Sequence, residues 1–245
     1  MLKAVTFDLW QTLILDTPEG LRRARTDRVG GMHDVLVREG YGFDLASVDR
    51  AYDVVGERLE GLWADQRDIG SRGQVHLLLE TLGISGSLAG DGSIMNALED
   101  AYRLPILSAL PLAQAGTREV LHELTQRGLR LALICNTGRT PGSMLRVVLD
   151  RLDLKASLSV LTFSDEVGVR KPHREIFART LGALGVSASE TAHVGDDITT
   201  DVAGARGIGM RAIHLCHAGG ASPRSTGVEA IPDLLALPIM LFPAT

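Results

Sequence analysis

Apolar runs of strand length recur along the chain at KAVTFD (3–8), LRLALIC (129–135), LSVLTFS (158–164), TAHVGD (191–196) and MRAIHL (210–215). From Leu129 onward a helix-length segment separates each run from the next, as in parallel strands joined by crossover helices. The pattern predicts an α/β core built on an open, doubly wound (Rossmann-like) parallel sheet. Between Ile14 and about Leu110 the period changes. Stretches such as LRRARTDRVGGMHDVLVREG and VHLLLETLG carry helical spacing and no strand run, which predicts an inserted α-helical subdomain. The expected division is a core of residues 1–14 and 111–245 and a helical insertion of 15–110. The return passes through LPILSALPLAQAG, punctuated by Pro105, Pro111 and Gly116. Met32, Met95 and the leucines of the insertion read as packing between its helices, and Trp63 either as packing or as a substrate contact. The tail VEAIPDLLALPIM reads as a helix on the sheet edge, and GISGSLAGDGS as a biased, flexible-type loop.

The composition fits this picture. The 245 residues are 45% hydrophobic and 22% charged, as in an ordinary globular chain. No run approaches the roughly 20 apolar residues of a membrane span. The chain opens directly into a strand-like run, with no basic region and apolar stretch before it. A cytoplasmic protein without a membrane partner is expected. A net charge of -5 offers no basic face for a polyanion, so nucleic acid is not an expected partner, while a small anion in a local positive pocket is compatible. Cys135 and Cys216 lie in strand-like runs without metal-knuckle or disulfide spacing, and read as buried thiols in a reducing compartment. Oligomeric state leaves no trace in the sequence.

In open α/β sheets reactive groups gather where strands end at their carboxyl edge. Strand one ends in Asp8, strand two in Cys135-Asn136-Thr137-Gly138, and strand four in Gly195-Asp196-Asp197, while Lys171-Pro172 follows strand three. Acids brought together without a counter-charge repel, so one would take up a proton unless a cation joins them. Mg²⁺ prefers oxygen ligands and commonly uses one or two carboxylates plus a substrate phosphate. Asp8 and Asp196 suit that role. Lys171 offers a point charge to a phosphoryl group and to Asp8, with Pro172 starting the next helix. Arg170, the alternative to Lys171 for that cation, reads more simply as an exposed surface arginine. Arg139 reads either as a solvated loop charge or as a residue reaching the site.

FDLWQTL, LALICNTG, KP and GDDITTD, in that order, resemble the four motifs of the haloacid dehalogenase superfamily over the whole chain. The helical insertion resembles the cap that many members carry between the first and second motifs. The resemblance implies a hydrolase with Asp8 as nucleophile and a Mg²⁺ ion held by Asp8, the Trp10 main-chain carbonyl and Asp196. It implies Lys171 as a catalytic and substrate-binding cation, and Asp201 as the acid that orients Lys171 or a metal-bound water. Thr12 would brace the turn after strand one, and Asp197 either orients or caps the following helix. Asn136 and Thr137 would contact substrate. At Cys135, where relatives have Ser or Thr, a substrate contact and a strand-end core position are both open. The expected substrate is a small, anionic metabolite.

Trp10 departs from the pattern. Superfamily phosphatases carry an aspartate there as general acid and base, a contribution of about 10²–10⁴-fold. Indole cannot supply it. Three readings follow: a Mg²⁺-dependent phosphatase narrowed to good leaving groups; a metal-independent L-2-haloacid dehalogenase, whose relatives have tyrosine there; or a weakly catalytic binding module. The dehalogenase reading needs an arginine after the first motif. Arg22, Arg23, Arg25 and Arg28 are available, and at helical spacing they read as a solvated face.

Overall fold

The computed structural model describes residues 1–84, 92–216 and 228–243. Residues 85–91 of the Gly/Ser-rich loop lie outside that range. The predicted strand runs form β1 (Ala4–Phe7), β4 (Arg130–Cys135), β5 (Val160–Phe163), β6 (Thr191–Gly195) and β7 (Arg211–Leu215). They lie in one parallel sheet in the order β5-β4-β1-β6-β7, with a sixth strand, β8 (Glu229–Ile231), at the edge. The sixth strand corrects the reading of the tail as wholly helical: Glu229–Ile231 pairs with Ile213–Leu215, and only Ala236–Leu241 is a helix, α8. Three residues, the first of them an exposed acid, leave no alternation long enough to announce an edge strand.

Alternate residues of each strand serve opposite faces. Leu131, Leu133 and Cys135 join the main core with Val5, Phe7 and Val194, beneath α5 (Thr117–Gln126) and α6 (Gly142–Arg151). Ile134 faces the second core, with Ile176 and Phe177 of α7 (Arg174–Leu184). From central β1 the chain builds one side of the sheet through β4 and β5, then crosses to β6 on the other. That reversal places a crevice at the carboxyl ends of β1, β4 and β6.

The helical insertion comprises α1 (Pro18–Arg38), α2 (Leu45–Ala64), α3 (Gly70–Thr81) and α4 (Gly92–Arg103). Thr17 and Asp44 start the first two, accepting hydrogen bonds from Gly20 N at 3.0 Å and Ser47 N at 2.7 Å. Their inward faces form a separate core of Met32, Leu36, Val55, Leu59, Leu78, Met95 and neighbours. The chain enters through β2 (Ile14–Leu15) and leaves through β3 (Leu112–Ala113), which pair antiparallel. Among the described residues no helix is long and apolar enough to cross a membrane.

One carboxylate of the core makes a pH-dependent prediction. Asp165 accepts from the Gly142 amide at 3.1 Å at the start of α6, but burial pushes its pKa up to about 6. Between the usual carboxylate value and about 6 the folded state holds the extra proton, so this group's contribution to stability falls as pH rises through that window. Asp165→Asn can keep the amide contact without the buried charge. Denaturant titrations are expected to show it more stable than wild type by about 1 kcal/mol at pH 8, after allowance for partial exposure, with no advantage below pH 4.

Candidate active site

The turn after β1 is closed by its main chain. Thr12, Leu13 and Ile14 donate to Leu9 O at 3.3, 2.9 and 3.0 Å, with Gln11 in the left-handed region at φ 61°. The Thr12 hydroxyl is fully buried and has no hydrogen-bond partner among the described residues. Asp8 ends the strand, 5% exposed.

Lys171 Nζ lies between Asp8 Oδ1 at 2.5 Å and Asp201 Oδ1 at 2.6 Å. Burial works against the ammonium, but Asp201 and Asp8 outweigh it and hold Lys171 above the usual lysine range. Burial would also raise Asp201, yet Lys171 and His193 more than offset it and hold that carboxyl well below its ordinary value. Asp8 is the group left over. Burial pushes it up to about 7 against the pull of Lys171, with Asp201 adding to the rise.

Pro172 does not start a helix: α7 begins at Arg174, with His173 as its cap. The Lys171 main chain is instead clamped by Asn136, whose Nδ2 donates to Lys171 O at 3.0 Å while its Oδ1 accepts from Lys171 N at 2.7 Å. Asp197 is exposed, and its Oδ1 accepts from Thr199 and Thr200 N at 2.7 Å each, so it caps the π-type turn Ile198–Ala203. Asp201 lies in that turn, and a Cβ on Gly195 would stand 2.3 Å from its Cγ. Glycine before Asp196 is therefore a packing requirement.

His193, absent from the sequence reading, backs this arrangement. It is 1% exposed, its Nε2 is 3.1 Å from Asp201 Oδ1, and its Nδ1 is 2.8 Å from the Thr6 hydroxyl. Burial lowers its pKa, and a neutral ring donating through Nε2 satisfies both partners. A histidine within a wholly buried strand is the signal that could have found it.

Asp8, Asp196 and Asp201 present carboxylate oxygens all within 4.8 Å of one another. With all three carboxylates ionised (-3), one ammonium (+1) leaves -2 beside a neutral imidazole, and the rise of Asp8 is the cost of holding that charge without a cation. A hard divalent cation fits both the oxygen donor set and this charge deficit.

Other residues fall elsewhere than expected. Cys135 is fully buried in the main core, where burial first and Asp8 second raise its thiol well above the ordinary range. The Thr137 hydroxyl turns to Asp68 Oδ2 and Ser164 Oγ, each at 3.1 Å, and its amide donates to Ser164 Oγ at 2.8 Å. Arg170 is not a surface residue. It is 9% exposed, donates to Asp68 Oδ2 at 2.8 Å and to Thr137 O, and lies 4.4 Å over the Trp63 ring. Asp68 reaches in from the α2–α3 loop, which is stitched to the loop before Lys171 by Asp68 N to Gly168 O at 3.1 Å and Arg170 N to Gln66 O at 2.9 Å.

Asp68→Ala would leave the Arg170 guanidinium buried without a counter-charge. Its expected cost is about 3 kcal/mol, read as a fall in denaturant midpoint, with Asp68→Asn losing less.

Between the helical insertion and the sheet edge is a cavity of about 420 Å³, lined by Trp10, Asn136 and Thr137 on the core side and by Arg25, Arg28, Tyr52 and Trp63 on the helical side. Arg25 and Arg28 are thus not a solvated face. Arg25 pairs with Asp49 and Asp53 at 2.6 Å each, and Arg28 is 4% exposed. Trp63 packs on the helical core with one edge and lines the cavity with another.

A doubly wound sheet with helices inserted after its first strand, and with acids and a lysine gathered at its carboxyl edge, defines a hydrolase on a Rossmann-like α/β core. A family model of haloacid dehalogenase-like hydrolases matches residues 2–209. The chain belongs to that family. It is 32% identical to phosphoserine phosphatase of Thermus thermophilus, over 95% of this chain and 94% of that one. It is 30% identical to glyceraldehyde 3-phosphate phosphatase of Pyrococcus abyssi, over 87% and 81%. Its fold resembles a 2-haloacid dehalogenase from Pseudomonas syringae pv. Tomato, with a TM-score of 0.70 and 22% identity over 98% of both chains. It also resembles a HAD phosphatase from Thermococcus onnurineus, with a TM-score of 0.62 and 21% identity over 98% of both chains.

Proposed function

We propose that this protein is a cytoplasmic, Mg²⁺-dependent phosphatase of a small phosphorylated metabolite, working through an aspartyl-phosphate on Asp8, with residues 15–110 as a cap over the site. The observation that carries the reading is the charge of -2 left at the strand ends by Asp8, Asp196, Asp201 and Lys171, a deficit that a metal-independent dehalogenase would have no reason to keep. The two phosphatase relatives support the same side.

Asp8, Asp196 and the Trp10 carbonyl would hold Mg²⁺, which supplies neutralising charge to the carboxylates and to a phosphoryl group. Asp8 attacks phosphorus, forming an acyl phosphate as the ester oxygen leaves with the bonding pair. Lys171, kept protonated by its two acids, steadies charge on the phosphoryl oxygens. Asn136 holds the Lys171 backbone, and His193 holds Asp201. Trp10 neither protonates the leaving oxygen nor activates the water that cleaves the acyl phosphate. Among substrates bound equally well, esters of acidic alcohols and phenols therefore react faster.

The dehalogenase reading draws on the aromatic Trp10 and on Arg28 in the cavity wall. An aryl phosphate and L-2-chloropropionate, each assayed with Mg²⁺ and with excess chelator, separate the two. Chelator-sensitive phosphate release is expected; chloride release that survives the chelator would overturn the proposal. Silence against a broad phosphate panel and in the chloride assay would favour the binding module.

A further inference from the structure

The wall of the cavity carries four arginines, Arg25, Arg28, Arg139 and Arg170, against one acid, Asp16. Arg25 is neutralised by Asp49 and Asp53, and Arg170 by Asp68. Arg28 and Arg139 have no carboxylate within salt-bridge distance among the described residues, and Asp53 acts on Arg139 only from longer range.

Both guanidiniums are nevertheless fixed in place. Arg28 Nε donates to Tyr102 O at 2.6 Å and Nη1 to the Tyr52 hydroxyl at 3.0 Å. Arg139 Nη1 donates to the Tyr102 hydroxyl at 2.9 Å and Nη2 to Tyr52 O at 3.2 Å, with its charge 4.1 Å over the Tyr52 ring. Tyr102 in turn donates to Gln74 Oε1 at 2.5 Å. A Cβ on Gly56 of α2 would stand 2.8 Å from Arg139 Nη2, so the helix is notched where that guanidinium rests. The Trp63 Nε1–H on the same wall is buried without a hydrogen-bond partner among the described residues.

Arg28 is buried and Arg139 half-buried, and a cation immobilised out of water without an anion is costly unless a ligand supplies one. Among the described residues Arg28 retains both N–H groups of Nη2, and Arg139 its Nε–H, as donors without a hydrogen-bond partner. The core side of the same cavity is Asn136, Thr137 and Gly138, the loop at the end of β4 beside the phosphate end of the site. Two planar guanidiniums without a carboxylate of their own suit a substrate carboxylate, which can accept paired N–H bonds.

We propose that Arg28 and Arg139 form a subsite for a carboxylate carried by the phosphorylated substrate, so that the protein selects short phosphomonoesters of hydroxy acids. This rests on the phosphatase reading above. The test compares kcat/KM, with Mg²⁺, for glycolic acid O-phosphate and for its primary amide. An aryl phosphate lacking a carboxylate reports whether phosphatase activity is present at all. A charge-assisted contact of this kind predicts a preference for the acid of about 10–100-fold. In Arg139→Gln and Arg28→Lys that preference should fall at least about tenfold, and in Gly56→Ala, which displaces Arg139, it should fall as well. Calorimetry supplies a second readout, with phosphonoacetate binding wild type more tightly than methylphosphonate and losing that advantage in Arg139→Gln. Equal rates for acid and amide alongside aryl phosphate hydrolysis would overturn the subsite and leave the phosphatase reading standing. No hydrolysis of any phosphate would overturn that reading instead, and the subsite would then stand or fall on the calorimetric ratio. A preference unchanged in both arginine variants also sinks it.

Discussion

Asp8→Asn is expected to lower turnover of every hydrolysed substrate by on the order of 10⁴-fold or more, because a neutral amide cannot form the acyl phosphate. The loss should come without unfolding. Lys171 keeps Asp201 at 2.6 Å when Asp8 is neutral, and Asp8 is the carboxylate that burial penalises most openly. In metal-free protein the folded-state value of about 7 exceeds the ordinary carboxylate value, so the wild-type fold holds an extra proton between them and loses stability as pH rises through that window. Asparagine removes that dependence. Melting curves in chelator at pH 8 should therefore show the variant at least as stable as wild type. A large drop in melting temperature would mean that Asp8 is needed for the architecture and that the activity loss says nothing about a nucleophile.

The second large effect is a gain. Trp10→Asp should raise kcat/KM for alkyl phosphates by about 10²-fold, toward the usual worth of general acid–base catalysis, and raise aryl phosphates far less. Trp10 is partly buried against the main core but lines the cavity, so a smaller acid at that position faces space rather than packed side chains. Its main chain is already held by the bridge to Ile14, which a side-chain exchange leaves intact. Equal gains on both ester classes, or none, would show that departure of the leaving group is not what Trp10 limits. Phosphate release from matched alkyl and aryl esters, compared as a ratio, is the deciding measurement.

The strands of the core were legible because each is a run of apolar residues buried on both faces, a pattern that survives without tertiary context. The strand-end residues Asp8 and Asp196 were legible for the same reason, since the ends of such runs are visible in the sequence, whereas Lys171, in the loop after β5, was legible from its KP motif. Asp68 was not. It sits among polar loop residues in DQRDIG, and only the meeting of the α2–α3 loop with the segment before Lys171 shows that it is buried. Arg170 and Arg28 misled by type: isolated arginines are usually exposed, and their burial depends on partners 102 and 74 residues away in sequence. Thr137 and Ser164 were hidden likewise, since their hydroxyls answer to Asp68 rather than to anything nearby in the chain.

The pairing of β2 with β3 bears on how the chain reaches this fold. The central contact of the sheet, Phe7 against Leu133, spans 126 residues, and forming it directly would close a very long loop. The four inserted helices have their own core, and Ile14 meets Ala113 where their ends come together. A chain that condenses those helices first shortens the effective separation between β1 and β4 to a few tens of residues. The nucleophile strand then docks onto a sheet whose register is set nearby. Weakening the helical core should therefore slow the assembly of the sheet, although the two have separate buried clusters.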